Sequence, residues 1–204
     1  MNQDWTGNSK AVFSILGASS HSTTDRAQRD FYATSPIAIK ELYTKYWQDI
    51  GFSNNIWECA CGNGHLVKEL QRLDTNLNIR SSDIVIRDFE CEKIDFLLES
   101  KNYSKFDIIT NPPYIYALEF AKKALFLLEP NHKLALFLKL TFLEGLERRK
   151  FFDKFPPKYV LIFSRRIQVA KNGDKKEFAK SSAVAYAWFI WEKDCSDITK
   201  IKWL

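Results

Sequence analysis

Short apolar runs alternate along the chain with stretches whose apolar positions recur every three or four residues. Runs at 54–60, 78–85, 106–110, 133–140, 158–164 and 182–193 predict strands. The spacing of Ile37, Ile39, Leu42, Tyr43, Tyr46 and Trp47 predicts a helix whose first turn holds Pro36. Further helical patterns cover 62–73, 116–128 and 144–155, with a short helical piece at 95–100. Strand–helix–strand alternation of this kind demands a parallel sheet with right-handed crossovers, because parallel neighbours cannot be joined by tight hairpins. The last two strands are linked by a loop with little helical pattern, which predicts an antiparallel hairpin at one edge. The pattern is that of one doubly wound α/β domain over 31–204, preceded by an irregular arm at 1–30 whose apolar island is Val12 to Leu16.

Composition changes this picture little. Aromatic residues make up 15% of the 204 positions, which excludes a disordered chain. The net charge of +5 permits a polyanionic partner without requiring one. Cys59, Cys61, Cys91 and Cys195 are too few and too scattered for a disulfide scaffold, so reduced thiols in a cytoplasmic protein are expected. No run is long enough to span a bilayer. His21, His65 and His132 are scattered, and no metal site is expected.

Candidate chemistry gathers at strand ends. Glu58 to Gly64, with Ala60 inside the turn, lies where the first core strand hands over to a helix. Gly62 and Gly64 permit positive φ and close approach of backbone to a ligand, although a G-x-G alone can be no more than a tight turn. Acids follow in order. Glu58 can meet a cationic amine, Asp83 can accept two ribose hydroxyls, and Asp95-Phe96 suits an adenine. Singly, Asp83 or Asp95 reads equally well as a helix cap or solvated loop acid. Together they describe S-adenosylmethionine better than a dinucleotide, whose pyrophosphate would be repelled by Glu58.

The next strand runs into Asn111-Pro112-Pro113-Tyr114. Two prolines stop a strand, and they also stiffen what precedes them. The Asn111 side-chain oxygen and the Pro112 carbonyl form two acceptors suited to the two hydrogens of an exocyclic amine. Holding that nitrogen pyramidal localises its lone pair, and so promotes nucleophilic attack without a strong base. Tyr114 offers a stacking face, and a base from a duplex would have to flip out to reach it. The bland alternative is a strand-terminating turn.

With these motifs in this order the sequence resembles the S-adenosylmethionine-dependent adenine-N6 DNA methyltransferases, especially the small single-domain enzymes of phages and prophages. The resemblance runs from about Asp30 to Leu204. It implies a seven-stranded, mostly parallel Rossmann-like class I sheet, S-adenosylmethionine as cofactor and duplex DNA as partner. It places Tyr32 and Thr34, within Phe31 to Pro36, near the methionine end of the cofactor. It makes Asn111 a cofactor neighbour, and it makes Asn111, Pro112, Pro113 and Tyr114 the catalytic tetrapeptide. Cys59 departs from the family, which commonly has proline there. The tetrapeptide also serves enzymes that methylate RNA or protein glutamine, and a non-catalytic nucleic-acid-binding module with a vestigial cofactor fold is a further alternative. For a polymer, the candidate contacts are a basic loop at about 165–182, containing Arg165, Arg166, Lys171, Lys175 and Lys176, and Lys139 at the end of an apolar strand. Arg148, Arg149 and Lys150 form a second basic patch. A lysine-rich loop can equally be merely solvated, and Lys139 can snorkel outward.

Overall fold

The computed structural model describes residues 32–100, 105–171, 184–195 and 197–204. The arm at 1–30, Lys175 and Lys176 lie outside the described residues. In chain order the strands are β1 (Tyr32–Thr34), β2 (Asn55–Glu58), β3 (Asn78–Asp83), β4 (Glu92–Lys93), β5 (Asp107–Thr110), β6 (Lys133–Lys139), β7 (Tyr159–Ile162), β8 (Val169–Lys171), β9 (Tyr186–Glu192) and β10 (Lys200–Trp203). The α-helices are α1 (Pro36–Ile50), α2 (His65–Leu73), α3 (Ala117–Leu127) and α4 (Leu146–Lys154).

The main sheet runs β10-β7-β9-β6-β5-β2-β3-β4. Only β9 is reversed, pairing antiparallel with both β6 and β7. The mostly parallel α/β sheet is thus as expected, and the β7–β9 hairpin lies toward one edge with β9 turned inward. The strand count differs: eight rather than seven, because β10 pairs in parallel outside β7. Its Lys200, Ile201 and Trp203 are exposed, so β10 lacks the apolar run that marks an interior strand. The basic loop is also more ordered at its start than expected. Val169–Lys171 forms a separate two-stranded ribbon with Tyr32–Thr34, locking the head of the domain to the segment that follows β7. The expected helical piece at 95–100 is only a turn, with Leu98 and Glu99 amides bonding the Asp95 and Phe96 carbonyls. Six residues are too few to nucleate a helix, and the Asp95 side chain draws off the Leu97 amide at 3.0 Å.

Alternate residues of β6 feed two cores. Ala135 and Phe137 join α1 and α2 on one face. Leu134, Leu136 and Leu138 meet α3 and Phe151 of α4 on the other. A strand buried on both sides reads as an unbroken apolar run, which is why 134–138 was easy to recognise. Three buried tryptophans have their indole N–H groups satisfied: Trp57 by the Ser82 hydroxyl, Trp188 by the Ala38 carbonyl and Trp191 by the Phe155 carbonyl. At the amino end of β5, buried Asp107 accepts from the Ser53 and Lys133 amides at 2.6 and 2.9 Å and lies 2.7 Å from His132. That cluster pins the sheet end remote from the site.

Candidate active site

The carboxyl ends of β2, β3 and β5 open into one cavity of about 690 Å³. Its lining includes Thr34, Glu58, Ala60, Asp83, Asp95 and Phe96, together with Asn111, Pro112 and Pro113. The residues expected from three separate strand ends are therefore brought together, as the position of a switch point in a parallel sheet requires.

After β2 the chain must reverse into α2 at once. Gly62 and Gly64 adopt φ of 55° and 72°, in the left-handed region. At Gly64 a Cβ would also stand 2.5 Å from the Phe89 ring, so both conformation and space demand glycine there. The Gly62 amide donates to Asp83 Oδ2 at 2.9 Å, tying the turn to the end of β3. Gly62 and Gly64 themselves lie behind the cavity wall, shaping it without lining it. Cys61 lines the cavity, and burial, followed by repulsion from Glu58, pushes its thiol well above the usual range. Burial does the same to Cys59. Neither is an activated nucleophile.

Glu58 is 2% exposed and accepts from the Ala60 amide at 3.1 Å. Burial pushes its carboxyl up to about 8; Thr110 and the Ala60 amide pull it partly back, and Asp83 adds repulsion. Among the described residues no cation contributes to its state. Asp83 is equally buried, but its Oδ1 receives the Val85 amide at 2.9 Å and the Arg87 guanidinium at 3.0 Å. Phe96 belongs chiefly to the core: it stacks on Phe120 with centroids 4.8 Å apart and meets Trp57 edge-on. Only part of its surface reaches the cavity.

Tyr114 lies outside the cavity lining. It opens a single 3₁₀ turn, Tyr114–Tyr116, closed by the Tyr116 amide on the Pro113 carbonyl at 2.9 Å. The Lys139 ammonium stands 5.0 Å from its ring centroid, and the Tyr186 ring lies 6.2 Å away. Lys139 and Tyr186 are register partners across β6 and β9. Asn111 lines the cavity, while Tyr114, three residues on, belongs to a group with Lys139 and Tyr186. Lys139 points toward the tetrapeptide rather than away from it.

Among the described residues several basic side chains are already paired. Arg165 pairs with Glu41 on α1, and Arg166 is exposed. Lys171 ends β8 opposite Tyr32. Arg149 and Lys150 are paired along α4 with Asp153 and Glu147, and Arg148 bonds the Glu144 carbonyl. The sequence reading missed Arg87, although its place four residues after Asp83 was a visible acid–arginine spacing. It missed Thr110 as a neighbour of Glu58. It also missed the apolar rim of Ile84, Leu98, Ile115 and Tyr116 around the cavity mouth, whose signal is apolar side chains directly after polar strand ends. Among the described residues no cluster of three or more His, Cys, Asp or Glu could hold a metal, and no helix is long and apolar enough to cross a membrane.

No protein-family model matches the chain, and no curated protein matches it by sequence. Solved structures do. A methyltransferase subunit of a type I restriction-modification system from Streptococcus thermophilus superposes with a TM-score of 0.59 at 14% identity, covering 85% of this chain and 47% of its own. This chain thus spans about half the length of that subunit. A Listeria monocytogenes protein provisionally described as a class I S-adenosylmethionine-dependent methyltransferase gives 0.58 at 14% identity, covering 95% of this chain and 70% of its own. A Pyrococcus horikoshii protein provisionally described as an RNA methyltransferase gives 0.57 at 14%, covering 88% and 96%. At these identities what is shared is architecture: the chain has the Rossmann-like fold of the class I methyltransferases.

Proposed function

We propose that the chain binds S-adenosylmethionine and transfers its methyl group to N6 of an adenine flipped out of DNA. The observation that carries this reading is the convergence of Glu58, Asp83, Asp95 and Asn111-Pro112-Pro113 on one cavity of about 690 Å³. The residues fit the cofactor. Glu58 is a buried carboxyl suited to a cationic amine, Asp83 faces the place of a ribose, and Asp95 with Phe96 borders an adenine-sized space. Thr34 lines the same cavity, and Tyr32 and Thr34 are the proposed neighbours of the methionine end.

When bound, the cofactor supplies an electrophilic methyl on a sulfonium. The protein's own part is positioning and electrostatics. Asn111, fixed by the following prolines, accepts one hydrogen of the acceptor amine, and the Pro112 carbonyl accepts the other. Tyr114 holds the base by stacking, with Lys139 and Tyr186 behind it. DNA is favoured by the motif order that the chain shares with the phage-type adenine-N6 enzymes. Lys139, Arg166, Lys171, Lys175 and Lys176 are the proposed contacts to its phosphates, with Arg165 joining once it leaves Glu41. The test is incubation with methyl-labelled cofactor and duplex DNA, single-stranded DNA, RNA and protein extract in parallel. Label in DNA as N6-methyladenine, lost in Asn111→Ala, is the expected result. Label confined to RNA or protein overturns the DNA assignment, and absence of transfer despite cofactor binding overturns catalysis.

A further inference from the structure

Arg87 bears on the same cavity from a segment the proposed mechanism does not use. The loop at 84–91 leaves β3, folds back across the glycine turn, and returns to β4. Two contacts hold it there. The Phe89 ring lies against Gly64, close enough that a Cβ on that glycine would reach within 2.5 Å, and the Lys68 ammonium caps the ring at 5.0 Å. Arg87 and Phe89 are joined by an isolated antiparallel bridge, so fixing Phe89 also fixes Arg87. The Arg87 side chain is 19% exposed and lines the cavity.

A carboxylate has roughly four acceptor positions, two on each oxygen. On Asp83, Oδ2 receives the Gly62 amide at 2.9 Å; Oδ1 receives the Val85 amide at 2.9 Å and Arg87 Nη1 at 3.0 Å. Oδ1 is thereby filled, and one position remains, on Oδ2. A ribose diol approaching this carboxylate brings two O–H donors, one for each oxygen. The two amides belong to the backbone that builds the site and cannot withdraw. Arg87 can, because the same Nη1 also donates to the Val85 carbonyl at 3.2 Å, which keeps it partnered after it leaves Oδ1.

We infer that Arg87 occupies the position on Asp83 Oδ1 required by the second ribose hydroxyl, so that this arginine and the cofactor diol compete for one carboxylate oxygen. The inference rests on the proposed cofactor site. Its consequence is a specificity effect: the second hydroxyl contributes little to affinity while Arg87 is present, because its gain is offset by a broken ion pair. A ligand with one hydroxyl can use Oδ2 and leave Arg87 in place.

The test is a cycle of two ligands and two proteins, read by calorimetry without turnover. S-adenosylhomocysteine and its monodeoxy analogues lacking the 2′- or the 3′-hydroxyl are titrated into the wild-type chain and Arg87→Met. In the wild type, loss of the hydroxyl that faces Oδ1 is expected to weaken binding by no more than about twofold. In Arg87→Met the same loss is expected to weaken it about tenfold, the value of one hydrogen bond to a charged acceptor after solvent exchange. General damage from the substitution affects all the ligands and cancels in the ratios. Arg87→Leu, which likewise has no donor for Oδ1, carries the same comparison should the methionine variant fail to fold. Equal penalties in both proteins for each hydroxyl, or a larger one in the wild type, overturn the competition while leaving the cofactor site intact. Failure of the wild type to bind S-adenosylhomocysteine at all instead overturns the cofactor reading itself.

Discussion

Replacing Glu58 with glutamine separates two things the buried carboxyl does. In the free protein burial holds this group at about 8, against an ordinary value of 4.5. At pH 7 only about one molecule in ten is then ionised. A cationic amine binds the carboxylate, so binding must expel a proton, and each pH unit below 8 weakens affinity about tenfold, or about 1.4 kcal/mol. Calorimetric titration of S-adenosylhomocysteine should therefore show affinity rising about tenfold from pH 6 to 7, with about one proton released. Above pH 8 the gain ends because Glu58 is then already ionised, and affinity falls as the ligand's amine loses its charge. Glu58→Gln should bind more weakly at pH 7 and lose the slope. Stability runs the other way. The folded-state value is raised, so between 4.5 and 8 the folded chain retains a proton that the unfolded chain has released, and stability falls as pH rises through that window. The full shift corresponds to roughly 5 kcal/mol. Glu58→Gln lacks this penalty, so its melting temperature should exceed the wild type's by several degrees at pH 8 and converge with it near pH 4.5. Wild-type affinity that is flat between pH 6 and 7, or a glutamine variant that keeps the slope, would refute the assignment of Glu58 to the amine.

Asn111→Ala should lower methyl transfer at least about a hundredfold, as expected for loss of an oriented acceptor, while cofactor affinity by calorimetry stays within about threefold. Gly64→Ala forces a Cβ onto a left-handed residue at φ 72° and into Phe89, and should cost roughly 2 kcal/mol or more in chemical denaturation. Adding Phe89→Ala should recover the steric part and leave the conformational part. Lys139→Met removes the ammonium 5.0 Å from the Tyr114 ring, and should raise KM for the nucleic-acid substrate several-fold with cofactor affinity unchanged. A change in cofactor affinity instead would overturn the placing of Lys139 at the nucleic-acid substrate.

The acids and the tetrapeptide were legible because a parallel sheet leaves its buried strands almost no polar positions. Glu58 follows buried Ile56 and Trp57, and Asn111 follows buried Ile108, Ile109 and Thr110, so each announces a strand end; β3 is polar at most positions, and Asp83 stood out only by its place in the series of acids. The ends of parallel strands share one edge, and ordering in sequence then becomes proximity in space. What was not legible depends on pairing across long separations. Nothing local in Tyr32–Thr34 identifies Val169–Lys171 as its partner, and nothing in Lys200–Trp203 signals a strand beside Tyr159–Ile162. The core role of Phe96, beside its place in the cavity lining, was hidden for a related reason. An aromatic next to an acid reads as a ligand contact, but the residue is 2% exposed and its stack on Phe120 is decided by where α3 lies.

The cavity sets two carboxyl groups against each other, and that opposition explains the different ways in which they are held. Asp83 contributes to the upward push on Glu58, so both cannot be ionised in a buried space without a cation between or beside them. Asp83 has one within the chain, Arg87, and two amides besides. Glu58 has a single amide and Thr110, which is enough to orient the group but not to charge it at neutral pH. Among the described residues no cation acts on Glu58, and the proposed ligand would supply one. An ammonium at Glu58 would relieve the burial penalty and the repulsion together. Arriving as it does with a diol at Asp83, the same ligand would also release Arg87. On the proposed function, the ammonium would supply Glu58 with a counter-charge while the diol contests Arg87 at Asp83.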